Sequence, residues 1–175
     1  MRNSKLLIAV AAALSVLIVG VYVLYAVSNY FSATAAIKIE LVEKCQDFKI
    51  GLPQVEQLYL KNLANRPWQI EISAFDLWGS GALDPSGATL KWKLGSFSES
   101  FETVELYSHE GLIGYRNYQK IDLPLGYDGI LAFELTFTKA PEGNYSRLLS
   151  IDIYDPQGEA DVWEWQNTTS FAITQ

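Results

Sequence analysis

The sequence predicts an all-β fold, an antiparallel β-sandwich of about seven to nine strands standing behind one N-terminal transmembrane helix. Three observations predict it. A long apolar run opens the chain, apolar and polar residues then alternate with a period of two, and clusters of Gly, Pro, Asn and Asp separate the alternating stretches.

The apolar run "KLLIAVAAALSVLIVGVYVLYAVSN" comes first. Leu6 to Val27 is 22 residues, and no charged residue occurs between Lys5 and Lys38. At about 1.5 Å per residue that length reaches roughly 33 Å, enough to cross a hydrocarbon core about 30 Å thick. A cleaved secretory leader has a shorter apolar region, about 7–15 residues. The small residues Ala33 and Ala35 of "SATAA" offer a cleavage pattern. A removed leader and a processed, pilin-type helix therefore stand as alternatives to the retained anchor.

Charge sets the orientation. Arg2 and Lys5 precede the span and belong in the cytoplasm, while Tyr22, Tyr25, Tyr30 and Phe31 gather where amphipathic rings favour the outer interface. The expected layout is a cytoplasmic stub at 1–5, a span through the bilayer at 6–27, a short tether at 28–37 and an extracytoplasmic domain at 38–175. Ala9/Ala13 and Ala11/Ser15 are small-xxx-small pairs that let a second helix approach closely, so self-association through the span is one expectation. Removing Arg2 and Lys5 from the 13 basic residues leaves 11 against 20 acids, a net of −9 outside. An acidic exterior domain argues against nucleic acid and against docking on anionic lipid.

The domain's strands follow from the alternation. "KIELV" sets Ile37, Ile39 and Leu41 against Lys38 and Glu40. "PWQIEISA" places Trp68, Ile70, Ile72 and Ala74 on one side. "LKWKL" sets Leu90, Trp92 and Leu94 against Lys91 and Lys93. "ILAFELTF" lines up Leu131, Phe133, Leu135 and Phe137, and "LSIDI" lines up Leu149, Ile151 and Ile153. Period two means one buried face and one wet face, the pattern of antiparallel sheets. Asp84-Pro-Ser-Gly87 and Asp155-Pro-Gln-Gly158 read as tight turns, with Asp capping, Pro presetting φ and Gly taking a positive φ. Gly95 to Gln119 is the least regular stretch, an excursion between the sheets or a binding loop.

Chemistry is sparse. His109 is the only histidine and Cys45 the only cysteine, which excludes a typical zinc, copper or haem site and any internal disulfide. Ser108 and Glu110 flank His109, but strand neighbours point to opposite faces and do not form a triad. No glycine motif cradles phosphate. No catalytic residue and no cofactor are expected. Asp152, Asp155, Glu159 and Asp161 crowd one turn, and oxygen ligands at that density could hold calcium, although a capped, solvated turn also accounts for them. Trp163 and Trp165 share one face of a strand. They are core residues or, facing outward, a stripe for docking protein or stacking sugar. Asn144 and Asn167 head glycosylation sequons.

The stretches "EQLYLKNLANRPWQIEISAFDLWGSGALDPSG", "IDLPLGYDGILAFELTF" and "LLSIDIYDP" resemble the telokin-like, immunoglobulin-like extracytoplasmic domains of unknown function found behind anchors in bacteria and archaea. The matching features are Asn62 closing a strand, the Phe75-x-Leu77 pattern, and the Pro124, Gly126 and Gly129 turn before a strand with a Phe core. The likeness runs from Leu41 to Tyr154 and departs at Gly95–Gln119. It implies an immunoglobulin-like sandwich with a binding or scaffolding role and carries no catalytic residues. The join of an apolar helix to a sandwich is also similar to archaeal pilins and archaellum accessory proteins, although no Gly or Ala follows Lys5 as pilin processing requires. The expected function is protein–protein contact as an accessory subunit of a membrane or cell-surface complex. The alternatives are a filament subunit assembling through its helix and a carbohydrate-binding module.

Overall fold

The computed structural model describes residues 13–25, 27, 36–44, 46–95, 100–156 and 161–175. Residues 13–25 are helical, and every one of them is exposed. Among the described residues no helix is long and apolar enough to cross a membrane; residues 6–12 and 26 of the expected span lie outside them.

From Ile37 onward the described residues form eleven strands, more than the seven to nine expected. They are β1 (Ile37–Glu43), β2 (Phe48–Lys49), β3 (Gln54–Asn62), β4 (Trp68–Gly79), β5 (Ala88–Gly95), β6 (Glu102–Val104), β7 (Tyr107–His109), β8 (Leu112–Leu123), β9 (Asp128–Phe137), β10 (Gly143–Tyr154) and β11 (Asp161–Thr174). The surplus is β2, β6 and β7, each of two or three residues, too short for an alternation to register. One sheet has the order β1-β3-β9-β5-β6 and the other β2-β11-β10-β4-β8-β7. Among the described strands every pairing is antiparallel except β2 with β11.

The two inner faces make one core. Leu131, Phe133, Leu135 and Phe137 of β9 face Leu149, Ile151 and Ile153 of β10, all buried, as their period-two spacing predicts. Burying each such side chain contributes about 1.5–3 kcal/mol.

β4 departs from the expected face. Its register slips against β8 between Ile70 and Ile72 and again before Phe75. Trp68, Ile70 and Ile72 point into the core, but the slip reverses the parity, and Phe75 and Leu77 take the inward positions beyond it. Ala74, expected on the inner row, is covered without joining the core cluster. Bulges of this kind insert a residue and re-aim the side chains beyond it.

The segment expected as an irregular loop, Gly95–Gln119, is largely strand. After residues 96–99, which lie outside the described set, β6 adds to the edge of one sheet, and β7 with β8 extends the edge of the other. The Asp84–Gly87 turn is a short 3-10 helix (Pro85–Gly87), its start capped by Asp84, whose Oδ1 accepts from the Ser86 N–H at 2.8 Å. Gly87 serves there by closeness rather than by positive φ, since an added Cβ would lie 2.1 Å from the Lys139 carbonyl oxygen.

Three polar side chains lock the sandwich. Asn62 donates from Nδ2 to the carbonyls of Arg66, Leu123 and Pro124 at 2.9, 3.0 and 3.0 Å, and accepts from Ala64 N–H at 3.0 Å. Tyr145, near the start of β10, donates its hydroxyl back to the Pro141 carbonyl at 3.0 Å. Arg147, two residues on, crosses the core to Glu56 of β3.

Candidate functional site

Among the described residues, a cluster of polar and aromatic side chains lies on the outer face of β4, β8 and β7. The parity change in β4 creates it, turning Asp76 outward while Phe75 and Leu77 go in. Directly opposite Asp76 is Gly114 of β8, and directly opposite Gly114 is Tyr107 of β7. With no side chain at the middle position, Tyr107 reaches over β8 and donates its hydroxyl to Asp76 Oδ1 at 2.5 Å. A Cβ on Gly114 would fall 2.4 Å from Asp76 Oδ1 and 2.7 Å from the Tyr107 hydroxyl.

Arg116, two residues past Gly114 on the same face, closes the assembly. Its Nη1 and Nη2 donate to the two Asp76 oxygens at 2.6 and 2.8 Å, a bidentate pair. Its guanidinium also lies 5.1 Å from the centre of the Tyr107 ring. Burial, then the hydrogen bond to Asp76, holds the Tyr107 hydroxyl far above the ordinary tyrosine value; the hydrogen bond to Asp76 raises Arg116 as well. Carboxylate, phenol and guanidinium are thus engaged with one another.

Asp76, Tyr107, His109, Leu112, Arg116 and Tyr118 line an open depression of about 470 Å³ above this assembly. Tyr118 is 81% exposed. A rigid, charge-neutralised base beneath an exposed tyrosine, a histidine and a leucine is suited to holding another molecule by its surface, since aromatic side chains dominate contact energies.

The residues singled out from sequence are placed elsewhere. Trp163 and Trp165 lie on the inward-facing row of β11, half-buried and packed against the core, so they form no outward stripe. Asn167 shares that inward row, and its Oδ1 accepts from Arg147 and Thr169 at 3.3 and 3.1 Å. Asn144 is exposed at the start of β10. Asp155 pairs with Arg66 at 2.8 Å and Asp152 accepts from the Ser73 hydroxyl at 2.9 Å. Glu159 and the side chain of Asp161 lie outside the described residues, and no metal-holding cluster occurs among those described. Ala13 and Ser15 are on the exposed helix; Ala9, Ala11 and Cys45 lie outside the described residues. His109 is exposed, as a surface histidine should be, and borders the depression.

Sequence reasoning missed Asp76, Tyr107, Gly114 and Arg116 as a group. They come from three strands, two of which fall in the stretch without alternation. No local spacing joins them.

No protein-family model matches the chain, and no curated protein matches it. Among solved structures, AvmM, which catalyses macrocyclization in alchivemycin A biosynthesis, superposes with a TM-score of 0.55 at 9% identity, over 81% of this chain and 90% of its own. The PapD-like domain 7 of human CEP192 has a TM-score of 0.43 at 10% identity, over 79% of this chain and 84% of its own. The CooA pilin subunit from enterotoxigenic Escherichia coli has a TM-score of 0.41 at 10% identity, over 80% of this chain and 99% of its own. At these identities the likeness to AvmM is a likeness of fold: a two-sheet β-sandwich.

Proposed function

We propose that this chain is a single-pass membrane protein whose immunoglobulin-like head stands outside the cell and acts by protein–protein contact, as an accessory subunit of a membrane or surface complex. Residues 13–25 support the anchor: the helix is apolar on every side and wholly exposed, a surface that water does not suit and hydrocarbon does.

Strand pairing supports the immunoglobulin-like reading. The frame β1-β3-β9-β5 facing β4-β10-β11 has the ABED and CFG pairings of a constant-type domain. Tyr145 stands where that fold places its tyrosine corner, bonding back to the chain before strand F. Two residues later such domains carry the second cysteine of the B–F bridge; here Arg147 holds that position and pairs with Glu56 on the B-type strand. β6, β7 and β8 are then an insertion between the D-type and E-type strands, placed on the edges of both sheets.

The observation that carries the contact role is the braced depression, formed by that insertion against Asp76 of β4 and bordered by Tyr118. A benzophenone amino acid at position 118, irradiated in native membranes, should crosslink to a discrete partner, while the same group at Leu52 should not. Equal crosslinking at both positions would remove the contact role from this face.

A further inference from the structure

One end of the sandwich is built differently from the rest. The β3–β4 and β8–β9 turns meet there, tied together by Asn62, which donates to carbonyls on both. The chain also enters the domain at this end: Leu63 N–H donates to the Ala36 carbonyl at 2.6 Å, and Ile37 pairs with Asn62. Leu63, the first residue of one turn, and Leu125, within the other, are 56% and 64% exposed. The cations nearby are already paired, Lys61 with Asp128 at 2.7 Å and Arg66 with Asp155 at 2.8 Å.

We infer that this end rests on the bilayer, with Leu63 and Leu125 seated in the interfacial layer. The inference builds on the anchored reading proposed above. Two features choose lipid as the occupant. The chain carries no charge from Leu6 through Ile37, so no ionised group separates the apolar segment from this end of the domain in the sequence. The leucines project from turns clamped to that entry point, so anchoring the segment brings them to the surface it spans. Because the flanking cations are paired and the exterior part is acidic, the headgroups contacted are zwitterionic rather than anionic. The head is thereby held upright, with the opposite end, near Leu52, in water.

The full chain, with Cys45→Ser, can be reconstituted in phosphatidylcholine nanodiscs with a single spin-labelled cysteine at position 17, 52, 63 or 125. All four positions are exposed, so labels there leave the core untouched. Collision with oxygen should exceed collision with an aqueous nickel chelate at 17, 63 and 125, and the reverse should hold at 52. The pattern should persist when phosphatidylserine is added. If 17 reports lipid but 63 and 125 behave like 52, the resting geometry is wrong while the anchor stands. If 17 is itself aqueous, both fall.

Discussion

Arg147 on β10 donates from Nη2 to the carboxylate of Glu56 on β3, joining the two sheets through the middle of the core with 1% and 0% of the side chains exposed. Nη1 donates to the Asn167 carbonyl at 3.0 Å and Nη2 also reaches Thr169, yet Nε has no hydrogen-bond partner among the described residues. A buried pair that is incompletely satisfied returns little net stability, but removing one partner strands the other charge. Arg147→Met should therefore cost about 3–5 kcal/mol in urea unfolding, and Glu56→Leu added to it should recover most of that loss. A double variant no better than the single one would show that the pair itself stabilises the fold.

Gly114 tests the depression. Gly114→Ala forces a methyl against Asp76 and Tyr107 and should cost about 1–3 kcal/mol by overpacking. Tyr107→Phe keeps the ring and loses only the hydrogen bond to a charged group, about 1.5–3 kcal/mol. Both should also weaken the crosslink from position 118, because the base beneath that tyrosine loosens. Thermal unfolding and crosslink yield measured on the same samples decide the matter.

Asn62 offers an isosteric test. Asn62→Asp preserves shape, but a carboxylate cannot donate to the carbonyls of Arg66, Leu123 and Pro124. It should destabilise by at least about 2 kcal/mol, and by more than Asn62→Ala, since it adds a buried charge facing acceptors. A milder effect for Asp than for Ala in denaturant titration would contradict this account.

Alkaline pH should unfold the domain ahead of ordinary base damage. Burial raises the hydroxyls of Tyr107, Tyr115 and Tyr145 above the usual tyrosine value near 10. Above that value the unfolded chain releases protons that the folded chain still holds. Stability from these groups is thus intact below about pH 10 and is lost as pH rises through the folded values. Unfolding midpoints measured from pH 8 to 11.5 should be level at first and then fall, whereas a flat profile to the end would refute the shifts.

Intact mass of the native N-terminus separates the anchor from the filament. Met1 in place fits the anchor; loss of the first five residues, through Lys5, fits a processed filament subunit; a start near Ala36 fits a cleaved leader.

Much of the core was legible because period two is a local rule. Leu131 to Phe137 and Leu149 to Ile153 were readable directly. The Glu56–Arg147 pair left a signal as well: Glu56 shares parity with Leu58, Leu60 and Asn62, and Arg147 with Tyr145, Leu149 and Ile151. An acid and a base, each on an inward row, mark a buried pair. Trp163 and Trp165 shared a face, but their sequence alone did not say which face the core would cover. The Asp76 group could not be read, because the slip in β4 that turns Asp76 outward depends on how β8 pairs with it.

The parallel pairing of β2 with β11 bears on how the fold takes a mechanical load. β2 lies beside the last residues of β11, reinforced by Ile50 N–H on the Thr174 carbonyl at 3.0 Å and Ala172 N–H on Asp47 at 2.8 Å. β1, for its part, pairs with β3 from Asn62 at the entry point back to Gln57. A tug transmitted between the chain's beginning and Gln175 acts along these strands, so their ladders share the strain in shear instead of unzipping bond by bond. A sandwich built this way can be pulled along its strands without peeling open from the β1 edge.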